Sequence, residues 1–242
     1  MTLGALGFLL QKKRTALSRI KLTIHKAYMN VGLSACLSQK YSLALEIKMN
    51  IQCLKHVGVS ECLLGLGLSY GFTSIYDKWE DVPEGEQTRI TIVAQRLADK
   101  GNGENKFLRM VQYWWSVTAP RYWWSEADTY KVATVAQSES TMHTIMHREL
   151  TQKDFERPIS HPYLYHLNLL IKKYKETRDK ELFLQLKNSL PEGFLQRRIW
   201  NLSLAQMLNI YRQRKNHKLP EWHVVCDAFS KHAPYVFKHL FA

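Results

Sequence analysis

The stretch from Thr118 to His143 concentrates the side chains of this sequence that could carry out chemistry. It places the adjacent tryptophans Trp123 and Trp124 close to carboxylates, a lysine, a histidine and several hydroxyl groups. Small-molecule sites typically combine aromatic surface with a few convergent polar groups. The stretch therefore fits one wall of a ligand pocket. The alternative interpretation is a tryptophan-rich core helix followed by a polar loop.

A second candidate is the cationic run from Arg212 to Lys218, which reads RQRKNHK. It comes at the end of a predicted helix, where positive side chains interact favourably with the helix dipole. A forked guanidinium is equally suited to a phosphate or to the carbonyl edge of a pyrimidine. The sequence leaves helix stabilisation and anion binding as two open interpretations of this run.

The remaining polar residues give weaker signals for chemistry. Ser138 and Ser140 are suited either to binding a phosphate or to capping a helix. Glu126 and Asp128 stand two positions apart on a predicted helix, so their side chains diverge and structural hydrogen bonding is favoured over an acid pair. The sequence contains no nucleophile elbow, phosphate-binding glycine loop or zinc-protease motif, and no metal site is predicted.

The elements that would position these residues follow from hydrophobic periodicity. Alternation of apolar and polar residues predicts strands over 50–54 and 106–119, the second ended by Pro120. Apolar residues at helical spacing elsewhere predict a helix-rich α+β domain with few strands. The predicted helices begin at Ser60 and span 88–100, 121–135, 162–178, 181–190 and 194–214, with a polar loop over 137–144 and a last helix after Pro220.

Positive charge dominates the chain but is unevenly distributed. The net charge is +13, and residues 1–48 hold eight lysines and arginines against one acid. Residues 49–242 keep 26 basic and 20 acidic side chains, a charge of +6. We therefore predict a basic N-terminal extension over 1–48 and one domain over 49–242. The mild charge of that domain suits an anionic small substrate at least as well as nucleic acid.

Cysteine usage and hydropathy indicate the compartment. The four cysteines form no CxxC pair, which favours free thiols in a reducing, cytoplasmic compartment. No apolar run reaches the roughly 18–20 residues of a membrane span, so no membrane association is predicted. The positive charges near Leu3 to Leu10 follow the apolar run, which is the wrong order for a secretory signal.

The C-terminal third contains, in this order, Leu190-Pro191, Trp200, Asn209, Arg214 and Glu221-Trp222. This order is similar to the LP…W…N…LR…E segment of the flavin-dependent thymidylate synthases. A strand ending in T-A-P and a tryptophan-rich helix also precede the position of that family's fingerprint, RHRxxSxNExSxR. The likeness covers about residues 49–235, and APRYWW-E-DTYK with the STMH loop resembles a divergent branch found in bacteriophages. It implies an α+β, helix-rich domain around a small, mainly antiparallel sheet.

The resemblance assigns roles to individual residues of the C-terminal segment. Arg214 falls on the substrate-binding arginine, and it would act in catalysis by stabilising charge on the pyrimidine ring. Asn209 matches a flavin-side asparagine. Lys218, with His217 beside it, occupies the place of a flavin-contacting histidine. These three residues, Asn209, His217 and Lys218, are therefore expected to bind the cofactor.

The fingerprint region departs from the family pattern in its cations. The positions of its arginines carry Tyr130, Val132 and Met142, whereas its second serine is matched by Ser140. Neighbouring residues are the candidates to replace the lost contacts. By the resemblance, the substrate-binding candidates here are Lys131, Ser138 and Ser140, and the cofactor-binding candidate is His143.

The activity implied by the resemblance is methylation of dUMP to dTMP with methylenetetrahydrofolate. In that family reduced FAD supplies a hydride and NADPH recharges the flavin, and the enzymes are homotetramers with sites at subunit interfaces. Two alternatives stay open. One is a repurposed, non-catalytic homologue that binds a nucleotide or a protein partner. The other is a basic nucleic-acid-binding protein, which would depend on the charge of residues 1–48 and lose affinity steeply with salt.

Overall fold

The computed structural model describes residues 47–101 and 103–242. In this part of the chain the strands are β1 (Asn50–Val57), β2 (Gln112–Pro120), β3 (Thr134–Ser138) and β4 (Leu195–Ser203). The helices are α1 (Val59–Leu68), α2 (Glu84–Ala98), α3 (Arg121–Ala127), α4 (Thr141–Thr144), α5 (His161–Thr177), α6 (Lys180–Ser189), α7 (Leu204–Arg214) and α8 (Pro220–His232). Short 3-10 helices cover Trp79–Asp81, Lys106–Arg109, Gln152–Asp154 and Tyr235–Phe241.

The strands form one sheet in the order β1-β2-β4-β3, and each neighbouring pair is antiparallel. On the central strand β2, Tyr113, Trp115 and Val117 are fully buried at every second position and form one wall of the core. Trp115 lies opposite Cys53 of β1 on one side and Trp200 of β4 on the other. The predicted helix-rich α+β class with a small antiparallel sheet is confirmed.

The predicted helix over 194–214 is wrong in its first half, because Leu195–Ser203 forms strand β4. The apolar residues Leu195, Ile199 and Leu202 have helical spacing, which explains the prediction. Strand β2 instead pairs with β4 along its whole length, so the backbone groups on that side of β2 are satisfied. Helix α7 begins only at Leu204, after Ser203 caps it by accepting a hydrogen bond from the backbone of Gln206 at 3.3 Å.

The predicted helix over 121–135 is also too long. Helix α3 ends at Ala127, and Thr134–Ser138 forms the edge strand β3, which pairs with β4. Between them Ala133 adopts a positive φ of 55°, a left-handed conformation that a helix would not contain. The predicted polar loop over 137–144 is wrong as well, because it contains the end of β3 and the short helix α4. Lys131 therefore lies in a connection and not on a helix face.

The adjacent tryptophans of α3 belong to the core. The Trp123 side chain is fully buried, and its ring centroid lies 4.8 Å from that of Trp124 and 4.7 Å from that of Trp222. Trp200 of β4 packs edge-on against both α3 tryptophans. For these two side chains, the interpretation as a tryptophan-rich core helix is the correct one. They fix α3 between the sheet and α8.

The predicted extension over 1–48 lies outside the described residues except for its last two. The last of these, Lys48, donates from Nζ to the backbone oxygens of Gln152 and Phe155, at 2.7 Å each. Residues 47–242 form one compact unit, and Lys48 belongs to it. Lys48 is therefore part of the compact domain.

Gly58, between β1 and α1, gives a stability prediction. Its φ is +93°, and a Cβ added there would lie 2.4 Å from the backbone oxygen of Met110. Gly58→Ala is therefore expected to lower the free energy of unfolding by about 1–3 kcal/mol, measured by urea denaturation. Gly85→Ala is the control, because a Cβ at that helical position meets no atom within 4 Å. Equal effects of the two substitutions would contradict the prediction.

Candidate functional site

Helices α3 and α7 bring an arginine and a glutamate together near their C-terminal ends. Arg214 NH1 donates to Glu126 Oε2 at 3.0 Å, and Arg214 Nε donates to the Tyr130 hydroxyl at 2.7 Å. The Arg214 side chain is only 18% exposed, whereas that of Glu126 is 34% exposed. Both partners of Arg214 come from the stretch over 118–143. The predicted pocket wall and the predicted substrate arginine therefore meet in space.

An aromatic side chain completes this arrangement. The guanidinium carbon of Arg214 lies 4.7 Å from the ring centroid of Trp222 and 5.5 Å from that of Tyr130, within the range of cation–π contacts. The Trp222 indole donates from Nε1 to Glu126 Oε2 at 2.9 Å. Trp222 is fully buried in the first turn of α8, so it fixes both the arginine and the glutamate.

Two further predicted residues lie at the same place. His217 Nε2 is 3.7 Å from Glu126 Oε2. Asn209 is connected through Gln213, whose Nε2 donates to Asn209 Oδ1 at 3.0 Å and whose Oε1 accepts from the Tyr130 hydroxyl at 2.9 Å. We call Arg214, Glu126, Tyr130, His217 and Trp222 the Arg214 cluster. The structure thus gathers three of the residues selected from the sequence, Arg214, His217 and Asn209.

A second arginine lies at the other side of α3. Arg198 of β4 donates from NH1 to both carboxylate oxygens of Asp128, at 2.9 and 3.1 Å, and its guanidinium carbon lies 4.3 Å from the Trp124 ring centroid. Ser138 of β3 pairs in register with Arg198. Sequence reasoning missed Arg198 because it placed this residue in a helix. Glu126 and Asp128 do diverge, as predicted, since each pairs with a different arginine.

The other predicted residues lie apart from the Arg214 cluster. Lys131, His143 and Lys218 are exposed, and Ser140 is half-buried at the N-cap position of α4 without a side-chain cap bond. In residues 47–101 and 103–242, no hydrogen bond or ion pair joins any of these four side chains to the cluster. The partners Glu126, Tyr130 and Trp222 were not selected from the sequence as site residues. Their spacing along the chain gives no signal of their convergence on Arg214.

A separate group of buried acids lies near Tyr122. The Tyr122 hydroxyl donates to Glu221 Oε1, and burial together with that carboxylate raises the pKa of Tyr122. Burial also raises the pKa of Glu156, opposed by the hydrogen bond from the backbone of Lys48 and reinforced by the charge of Glu221. Among the described residues, one carboxylate oxygen of Glu156 and one of Glu221 have no hydrogen-bond partner. Burial therefore makes the Glu156 carboxyl and the Tyr122 hydroxyl costly to ionise.

The raised pKa of Glu156 predicts a pH dependence of stability. Because the folded protein binds this proton more tightly than the unfolded chain, the stabilisation is complete below the unfolded pKa of about 4.3. It is lost as pH rises through the higher folded pKa. Urea denaturation of the wild type and of Glu156→Gln from pH 4 to 7 should show the wild type losing stability with pH relative to the variant. A difference that does not change with pH would contradict this.

A cavity of about 870 Å³ lies where α1 and α2 end, lined by residues such as Tyr70, Lys100 and Phe107, and contains none of the predicted site residues. In the described part of the chain, no group of three or more potential ligand side chains could hold a metal ion. No described helix combines the length and apolarity that a membrane crossing requires.

Neither a protein-family profile nor a curated protein sequence matches the chain. Solved structures match it in fold. The flavin-dependent thymidylate synthase ThyX from Helicobacter pylori, complexed with FAD and dUMP, has a TM-score of 0.60 at 13% identity, covering 79% of this chain and 97% of that one. Another structure of that enzyme with FAD and dUMP has a TM-score of 0.58 at 14% identity, over the same shares. The UMP/dUMP methylase PolB from Streptomyces cacaoi, bound with 5-Br dUMP, has a TM-score of 0.51 at 9% identity, covering 80% and 93%.

The chain therefore has the fold of the flavin-dependent thymidylate synthases. The fold implied by the sequence resemblance is confirmed over most of the chain. At 9–14% identity the likeness concerns the fold. The ligands dUMP and FAD belong to those solved proteins, and their relevance to this chain depends on its own residues.

Proposed function

We propose that the chain is a divergent flavin-dependent thymidylate synthase that binds a pyrimidine deoxynucleotide at the Arg214 cluster and methylates it at C5. The observation that carries the proposal is the convergence of Arg214, His217 and the Asn209–Gln213 pair in this fold. Solved proteins of the same fold bind dUMP or a dUMP analogue. An arginine held between a carboxylate and aromatic rings supplies a preorganised donor for a pyrimidine.

In this proposal Arg214 acts on the base. Its NH2 has no hydrogen-bond partner among the described residues and remains available to a pyrimidine carbonyl. A hydrogen bond there withdraws electrons as negative charge develops on the ring, which stabilises the form in which C5 is nucleophilic. The buried rings of Trp222 and Tyr130 exclude water from one side of the guanidinium, so the interaction is stronger than in solvent.

The residues proposed to hold FAD are Asn209, His143, His217 and Lys218, whereas Lys131, Ser138 and Ser140 are proposed to bind the nucleotide. The side chains of His143 and Lys218 have no ion-pair partner in the described part of the chain, so they are available to the phosphates of a dinucleotide. The Asn209 amide is exposed beside the Arg214 cluster. This donor set fits an anionic cofactor. When bound, reduced FAD supplies hydride to the transferred carbon, while methylenetetrahydrofolate and NADPH remain part of the proposal by resemblance.

Assembly and origin also remain proposals. The candidate cofactor residues are spread over several elements, so a homotetramer with sites at subunit interfaces would let different subunits contribute them. Val132 and Val135 follow Tyr130 of the Arg214 cluster closely along the chain. Their side chains are 78% and 68% exposed, which suits contact with a neighbouring subunit. The bacteriophage origin stays a prediction from the sequence pattern.

A second candidate is a non-catalytic homologue that binds the nucleotide alone. The observation that favours it is the loss of the arginines of the fingerprint, whose positions carry Tyr130, Val132 and Met142. The hydroxyl of Tyr130 is committed to Arg214, whereas Val132 and Met142 are exposed and cannot pair with a phosphate.

Spectroscopy and thermal unfolding of the full chain separate these candidates. A ligand at a hundredfold excess over its Kd stabilises the folded state by about 2.7 kcal/mol, which raises the unfolding temperature by several degrees. The synthase is expected to carry a flavin absorbance spectrum and to be stabilised by dUMP, with dAMP as the control. Stabilisation by dUMP without FAD binding would support the non-catalytic homologue. Equal responses to dUMP and dAMP would contradict both candidates.

A further inference from the structure

We propose that Glu126 is a positioning and specificity residue that makes Arg214 recognise a neutral carbonyl and reject a phosphate. The inference rests on the proposed function, because it concerns which part of the pyrimidine nucleotide Arg214 contacts in that site. Arg214 binds the base, and the 5′-phosphate is held elsewhere.

The first argument is the number of free donors on Arg214. Bidentate recognition of a phosphate or carboxylate uses two parallel N–H groups of a guanidinium. Nε of Arg214 already donates to Tyr130 and NH1 donates to Glu126. NH2 is the one guanidinium nitrogen without a partner within the described residues, so each parallel pair of N–H groups, from Nε with NH2 or from NH1 with NH2, includes a nitrogen that is already bound. One terminal nitrogen matches a single carbonyl oxygen better than the paired oxygens of a phosphate.

The second argument is charge. The guanidinium and the Glu126 carboxylate form an ion pair at 3.0 Å, so together they carry no net charge. A phosphate dianion beside this pair would be attracted by the arginine and repelled by the glutamate. A neutral carbonyl avoids that repulsion and still accepts a charge-assisted hydrogen bond. His217 is the other titratable side chain on this carboxylate, with its Nε2 3.7 Å from Glu126 Oε2.

The third argument is that Glu126 is itself held in place. Its Oε2 accepts from the indole of Trp222 at 2.9 Å, and that ring also stacks on Arg214. Trp222 is fully buried, and its neighbour Trp123 on α3 fixes the distance between α3 and α8. The carboxylate can therefore set the direction of the guanidinium, a role that a mobile surface glutamate could not perform.

Two substitutions separate the charge of Glu126 from its position. Glu126→Gln removes the charge and keeps the length, so we expect inorganic phosphate to compete about tenfold more strongly against deoxyuridine. Glu126→Asp keeps the charge and shortens the side chain, so we expect deoxyuridine affinity to fall about tenfold with phosphate competition unchanged. Titration calorimetry of the full chain measures both. Asp99→Asn is the matched control, because it removes the ion-pair partner of Arg212, another arginine of α7. It should change neither the deoxyuridine affinity nor the competition by phosphate.

The outcomes distinguish this inference from the function on which it rests. If the wild type binds dUMP but Glu126→Gln shows wild-type competition by phosphate, the specificity role is overturned and the proposed function stands. If Glu126→Asp keeps wild-type deoxyuridine affinity, the positioning role is overturned, and this variant is informative even where Glu126→Gln fails to fold. If the wild type binds neither dUMP nor deoxyuridine, both proposals fail. A merely structural glutamate would change the unfolding midpoint without changing the selectivity between phosphate and nucleoside.

Discussion

Replacing Trp123 with alanine is expected to lower the free energy of unfolding by about 3–5 kcal/mol. The side chain is fully buried and contacts the rings of Trp124, Trp200 and Trp222, so its removal leaves a cavity where α3, β4 and α8 meet. The cavity adds to the lost transfer free energy because the surrounding rings are too large to collapse into it. Urea denaturation at pH 7 measures the change.

Trp114→Ala is the matched control for that experiment. Trp114 lies one position before Trp115 on β2 and is only partly buried, because it points to the sheet face opposite the core. The same truncation there should cost well under half as much as at Trp123. Equal losses of stability in the two variants would contradict the prediction that the packing of Trp123 against Trp124, Trp200 and Trp222 contributes more than an average partly buried tryptophan.

Replacing Arg214 with alanine is expected to weaken dUMP binding by about 2–4 kcal/mol, or about 30- to 1,000-fold in Kd. The loss is large because Arg214 is mostly buried, and water cannot readily take its place beside Trp222. The fold should persist, since the Glu126 carboxylate left behind is partly exposed and can be hydrated. Titration calorimetry gives the Kd, and circular dichroism checks the fold.

Arg212→Ala provides the control on the same helix. Arg212 is two residues from Arg214 but pairs with Asp99, and both of those side chains are exposed. Removing an exposed ion pair changes stability by less than about 1 kcal/mol and should leave dUMP affinity unchanged. A dUMP affinity in Arg214→Ala equal to that of the wild type would remove Arg214 from the site.

The sequence correctly predicted the elements in which the spacing of apolar residues fits either a helix or a strand, but not both. The helix predicted over 162–178 is α5 at His161–Thr177, and the helix predicted after Pro220 is α8. Strand β1 was predicted from its alternation, and β2 was predicted too early by a few residues, because Lys106–Arg109 is a 3-10 helix. These elements have amphipathic patterns that can be recognised from the local sequence alone.

Strands β3 and β4 were not predictable in the same way. The apolar residues of β4 have helical spacing, and β3 is short, mostly exposed and edge-paired. Each becomes a strand because a neighbouring strand offers unpaired backbone groups, which is information about distant parts of the chain. In β4, long-range pairing outweighs the helical spacing of the apolar residues.

For the candidate site, the sequence by itself determined the residue types and the family pattern, including Arg214, Asn209 and His217. Only the tertiary structure decided which groups surround them. Glu126 lies 88 residues before Arg214, and Tyr130 lies 84 residues before it. They meet because buried tryptophans lock α3 against α8 and the sheet. Side-chain packing of that kind depends on three-dimensional shape, which the spacing of residues along the chain does not express.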